Sequence, residues 1–293
     1  MEANFQTCFI GSVNAWECDE NDHQNVRFYS LKINQALQVF LVQNGFVAVT
    51  GGSLRHLRSK HIRYLAEART ATPLRVDCGL VSQQQGVLRV LALVYDNLTN
   101  ELLTSCDCEF ESDNWPHVEL PAITVPEIAS PRGIDLNSLA PVTGLLTDAL
   151  DRGYIEVGRG VVGPDEVDAT GMLLPHNYIG RISDGVPNLL ALADDEETLE
   201  RRLKGEIGGA AIEYNLQIHS PLEKGHIFSQ LSGIRAVGGK TFHFSHLLLD
   251  HSQGCCAASA EVIALGIDLV ARRAISISDS LRQKQEQFLL VDP

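Results

Sequence analysis

The chain is short of positive charge and has no long apolar run. It carries 23 Lys and Arg against 37 Asp and Glu, a formal net charge of -14 with a pI near 5.1. That balance argues against an extended phosphate-binding surface, and so against nucleic acid as a partner, while leaving room for a local basic patch that holds a small anion. No stretch approaches the roughly 18 apolar residues of a membrane span. Residues Met1 to Cys8 contain no basic segment leading into an apolar run, so a soluble, unexported, cytoplasmic protein is expected. A cysteine framework is missing too: the seven cysteines, with Cys106 and Cys108 two apart, Cys255 and Cys256 adjacent, and Cys8, Cys18 and Cys78 isolated, match no zinc spacing. Free buried thiols in a reducing compartment are the expectation. The second half holds His219, His226, His243, His246 and His251, but His243 and His246 fall on opposite faces of a strand, and no metal site is expected.

What is present suits a globular fold. The 44% apolar content over 293 residues can fill one large core or two ordinary ones. Thr7 to Ala15 reads as a strand. From Asn25 to Gln43, Phe28, Tyr29, Ile33, Ala36, Leu37, Phe40 and Leu41 recur with helical period on more than one face, and Asn44-Gly45 supplies the stop. A helix of that kind is normally wrapped by a sheet. Strand patterns follow from Ile62 to Phe110, with turns at Gln83 to Gly86 and Asn97 to Asn100. Between Ser112 and Pro141 lie five of the eleven prolines, which predicts a connector. The expected organisation is a first domain over 1–112, a Pro-rich connector over 113–150 and a second domain over 151–293.

The second half repeats the first. Glu17, Asp19 and Tyr29 recur 149 residues later as Glu166, Asp168 and Tyr178, and Val81 to Glu109 aligns with Ile234 to Val262 at an offset of 153 or 154, placing Asp96 on Asp250 and Asp107 on Glu261. Helical patterning returns from about His176 to Leu192, with Pro187 expected to kink it, and Asp194 to Arg202 adds a charged, solvated helix that the first half lacks. A period near 150 residues marks a duplicated domain instead of a solenoid.

Strand, acidic loop, long buried helix and antiparallel meander form the plan of the hotdog fold, an α+β architecture. Asp19 to Tyr29, D-E-N-D-H-Q-N-V-R-F-Y, resembles the D-x-x-G-H-x-N-x-x-x-Y signature of the 4-hydroxybenzoyl-CoA thioesterase-like branch of hotdog acyl-CoA thioesterases. The resemblance implies two tandem hotdog domains and a hydrolase of acyl-CoA or acyl carrier protein thioesters, with no cofactor beyond the thioester substrate. It also implies a catalytic carboxylate in the loop before the central helix, at Asp19 and, in the second copy, Asp168. Asp22 stands where the signature has glycine. The second copy restores Gly171 but carries Met172 and Leu174 in place of His23 and Asn25.

A thioester carbonyl needs a base or nucleophile and donors for the oxyanion formed on attack. Asp19 could supply the first, the amides of Val26 to Phe28 the second, and His23 and Asn25 would orient substrate or water. The plainer reading is that Asp19 and Asn25 cap the helix and His23 sits in a surface loop. Glu17 and Glu166 read as structural. Arg55, Arg58, Lys60, Arg63, Arg69 and Arg75 face a single acid, Glu67, a local charge of +6 - 1 = +5. Arg55, Arg58, Lys60 and Arg63 are therefore candidates for the phosphates of CoA or for an acidic carrier protein. Two other readings remain open: a hotdog enoyl-CoA hydratase, because D-E-N-D-H lies one residue short of D-x-N-P-x-H, and a non-catalytic acyl-thioester binding protein. Uncovered sheet edges and helix surfaces predict a homo-oligomer of double-hotdog chains.

Overall fold

A computed structural model describes residues 4–48, 54–136 and 146–291. The chain forms two compact units, one of residues 1–132 with 166–179, the other of residues 133–165 with 180–293.

In the first unit, β1 (Gln6–Ser12), β2 (Leu57–Tyr64), β3 (Pro73–Gln84), β4 (Val87–Asp96) and β5 (Leu102–Glu111) pair antiparallel in the order β1-β3-β4-β5-β2. Gln85 and Gly86 both take positive φ, which makes the β3–β4 connection a two-residue hairpin matched to strand twist. Helix α1 (Val26–Gln43) lies against β1, β3 and β4. Its apolar residues Ile33, Ala36, Leu37, Phe40 and Leu41 are buried, and Gly45 at φ 77 turns the chain away at the end.

The proline-rich segment is not a free linker. Trp115 packs against Phe46, His56 and Phe110, and the Ile123 amide donates to the Leu80 carbonyl at 2.7 Å. Gly79 admits the Ile123 side chain, because a Cβ there would lie 3.0 Å from it. Ile123, Val125 and Ala129 pack with Leu91 and Leu93. The first unit thus extends to Arg132 and includes most of the expected connector. Pro141 lies outside the described residues. Helix α2 (Leu146–Asp151) belongs to the second unit, where Ala149 joins a core of Tyr154, Leu231, Leu247 and Leu249.

In the second unit β6 (Ile155–Val161), β7 (Ile207–Ile218), β8 (Ile227–Val237), β9 (Thr241–Asp250) and β10 (Cys255–Asp268) follow the corresponding order, β6-β8-β9-β10-β7. A two-residue strand β11 (Arg273–Ala274) pairs with β10. Helix α3 (Pro175–Ala193), whose residues up to Ile179 belong to the first unit, stays helical through Pro187, and the Ile182 carbonyl, five residues earlier, accepts from Gln230 Nε2 at 2.9 Å. Helix α4 (Glu196–Leu203), capped by Asp195, is the charged extension, and α5 (Asp279–Gln285) follows near the end. Strand registers agree at an offset of 154: Leu74 faces Asp96 as Phe228 faces Asp250, and Leu91 faces Asp107 as Ser245 faces Glu261. No helix is long and apolar enough to cross a membrane among the described residues.

Candidate active site

The loop before α1 is built from its own hydrogen bonds. Asp19 Oδ1 accepts the amides of Asn21 at 2.9 Å and His23 at 3.4 Å, and the Asp19 amide donates to the His23 carbonyl at 2.9 Å. Asp22 takes the left-handed conformation, φ 61, that the glycine of the signature would supply. The second loop repeats this. Asp168 Oδ1 accepts from the amides of Thr170 (2.7 Å) and Met172 (3.2 Å), and the Asp168 amide donates to the Met172 carbonyl at 2.8 Å. Gly171 stands at φ 87, and the Cys18–Gln24 bridge returns as Val167–Leu173. A single carboxylate oxygen closes each loop, so Asp19 and Asp168 share a structural task whatever else they do.

Three further residues hold the first loop. Glu17, buried, pairs with buried Lys32 of α1 at 2.9 Å and accepts the Asn14 amide at 3.0 Å. Asn25 is the N-cap: its Oδ1 accepts the Arg27 amide at 2.9 Å and its carbonyl accepts the Phe28 amide. Val26 is the first-turn donor not committed to Asn25. The Tyr29 hydroxyl accepts the Ala68 amide at 2.9 Å, while the Ala68 carbonyl accepts the Gln24 amide at 2.8 Å. That pair of bonds ties the segment after β2 to the loop.

The consequence is a contact that sequence spacing does not show. Glu67, immediately before Ala68, places Oε2 2.8 Å from His23 Nε2, with His23 buried and Glu67 partly exposed. Glu67 is the lone acid of the basic stretch, the one signal that could have singled it out. The pKa of Asp19 is raised, chiefly by desolvation. In the second loop Met172 and Leu174 occupy the positions corresponding to His23 and Asn25, so the loop itself supplies no imidazole.

The four basic candidates do not gather into one patch. Lys60 is fully buried and points at α1, where Nζ meets Ser30 Oγ at 2.9 Å and Asn34 Oδ1. Arg63, three residues on, donates to the Ser130 carbonyl at 2.8 Å, Arg58 pairs with Glu111 at 3.2 Å, and Arg55 contacts His56. Strand alternation separates Lys60 from Arg63, and Lys60 faces the interior. The seven cysteines are free thiols, five of them buried.

No family model matches the chain, and no curated protein does. Among solved structures it is similar to the 12:0-ACP thioesterase from Umbellularia californica, at 12% identity over 88% of this chain and 93% of that one, with a TM-score of 0.63. It is also similar to an acyl-ACP thioesterase from Bacteroides thetaiotaomicron, at 13% identity over 89% and 97% of the two chains, with a TM-score of 0.60. At such identities the likeness concerns the fold, a mostly antiparallel sheet with few helices that matches hotdog-fold proteins.

Proposed function

We propose that the chain is a thioester hydrolase of tandem hotdog build whose active loop is the first, with Asp19, His23 and Glu67 as its working groups. The observation that carries this is the His23–Glu67 contact beside a desolvated Asp19 at the start of α1. Water held between His23 and Asp19 attacks the thioester carbonyl carbon, and His23 takes its proton while the carbon–oxygen bond forms. Glu67 orients the imidazole and balances the imidazolium. The carbonyl oxygen, now an oxyanion, faces the N-terminal turn of α1, where Val26 and the helix dipole favour negative charge. Collapse breaks the carbon–sulfur bond, the proton passes from His23 to the leaving thiolate, and a free acid and a thiol result.

The D-x-x-x-H-x-N-x-x-x-Y spacing supports the 4-hydroxybenzoyl-CoA thioesterase-like resemblance, and the fold neighbours named as acyl-ACP thioesterases support a carrier-bound acyl substrate. The carrier is CoA or acyl carrier protein, and the chains assemble as a homo-oligomer. Hydrolysis of an acyl-CoA and acyl-ACP panel, followed by thiol release, tests the reading. Turnover that His23→Ala and Asp19→Ala both abolish supports it. A panel that yields no thiol but loses enoyl absorbance would replace hydrolysis with hydration.

A further inference from the structure

Besides Lys32, which pairs with Glu17, the inner side of helix α1 carries a polar stripe. Arg27, Ser30 and Asn34 are spaced three and four apart and so share a face, which meets Lys60 of β2 and the start of α3. Arg27 Nη2 donates to Asn177 Oδ1 at 2.8 Å, and Asn34 Nδ2 lies 3.3 Å from His176 Nδ1. All of these residues belong to the first unit.

The stripe has an excess of positive charge, with no carboxylate paired to Lys60 or Arg27 among the described residues. Lys60, fully buried, uses two of its three donors, and both acceptors, Ser30 and Asn34, are neutral. The Arg27 guanidinium also donates to a neutral amide, and its Nε has no partner among the described residues. His176 is pushed down to about 3 by burial and by the charges of Lys60 and Arg27, with no carboxylate acting the other way. An ammonium fully buried against α1, a helix whose Ile33 and Leu37 are buried as well, is costly without a counter-charge. A monovalent anion would supply that charge, and an apolar body would suit the buried apolar residues of the same helix.

We propose that the place beside the second loop is a receptor for an aliphatic carboxylate, held by Lys60 and Arg27, and not a second hydrolytic site. Only the identity of the ligand with the acid released by the reaction rests on the proposed function. Arg27, half-buried, marks the side of entry.

Calorimetric titration of the full chain with dodecanoate, dodecanol and inorganic phosphate tests this. Dodecanoate is expected to bind at least tenfold more tightly than dodecanol, with phosphate silent, and Arg27→Gln and Lys60→Met are each expected to weaken it at least tenfold. Arg27→Gln retains a donor to Asn177, which guards against a folding defect in the lysine variant. His23→Ala should bind dodecanoate as wild type does, so loss of thioester hydrolysis and loss of this site are separable. Equal affinity for acid and alcohol, binding unaffected in both cation variants, or no binding by wild type would overturn the proposal.

Discussion

Replacing Lys32 with methionine should be among the most destabilising single changes near the loop. Lys32 Nζ lies 2.9 Å from Glu17 Oε1, with side-chain exposures of 6% and 5%. Glu17 is fixed from the other side by the Asn14 amide at 3.0 Å, so it cannot swing to water when its partner goes. Breaking a buried pair from one side costs about 3–5 kcal/mol, because the remaining charge is left uncompensated. For a unit of this size each kcal/mol moves Tm by about 2–4 °C, which gives a fall of roughly 6–20 °C for Lys32→Met. Adding Glu17→Gln removes the stranded charge, and the double variant should recover to within about 1–2 kcal/mol of wild type. Urea unfolding of the four proteins of this cycle measures both numbers. A Lys32→Met cost below about 1 kcal/mol, or a double variant no better than the single, would refute the reasoning. Because the pair pins the loop to α1, kcat should fall in the single variant and partly return in the double.

Other outcomes follow from the same geometry. Asp19 has a raised pKa, chiefly from desolvation; its folded state therefore disfavours the charged form, a penalty present at neutral pH and relieved as pH falls. Asp19→Asn should equal or exceed wild-type stability at pH 7 and lose that advantage in acid, measured by urea unfolding, while thiol release falls. His176 and His246 are lowered by burial from 6.5 to about 3 and about 4. Both are neutral when folded, so stability is complete above about 6.5 and is lost as pH falls toward those values, by up to about 1.4 kcal/mol per pH unit for each. His246→Gln should flatten that acid slope by about one proton. Glu67→Gln keeps an acceptor for His23 but removes the charge, and a loss of about 1–2 kcal/mol, roughly tenfold in kcat with KM unchanged, is expected from steady-state thiol release.

The parts of the structure that a linear pattern encodes are those made by residues near in sequence. The loop before α1 closes within five residues on Asp19 and His23, so its duplicate at Asp168 and Met172 was visible as a spacing of 149. The helix, its Asn25 cap and the Gln85-Gly86 hairpin were legible for the same reason. Glu67 was not, because its approach to His23 depends on Tyr29 and Gln24 both holding Ala68, a three-way meeting of loop, helix and strand end. Charge counted along the basic stretch says nothing of where each side chain goes: the pleat sends Lys60 inward and leaves Arg63 bonded to Ser130. Proline density marked an irregular segment correctly but said nothing of Ile123 and Trp115, whose apolar side chains strap it to the first sheet.

The most direct test converts the first loop into the second. His23→Met gives the first loop the residue found at Met172 while Asp19 keeps its loop-closing bonds, and Asp168→Asn removes the other carboxylate with the rest of the chain intact. With the best thioester of the panel, His23→Met is expected to lower kcat by about a hundredfold or more, in line with loss of a general base, and Asp168→Asn to leave it within about twofold. Retention of full turnover by His23→Met, or its loss in Asp168→Asn alone, would contradict the assignment of the active site to the first loop.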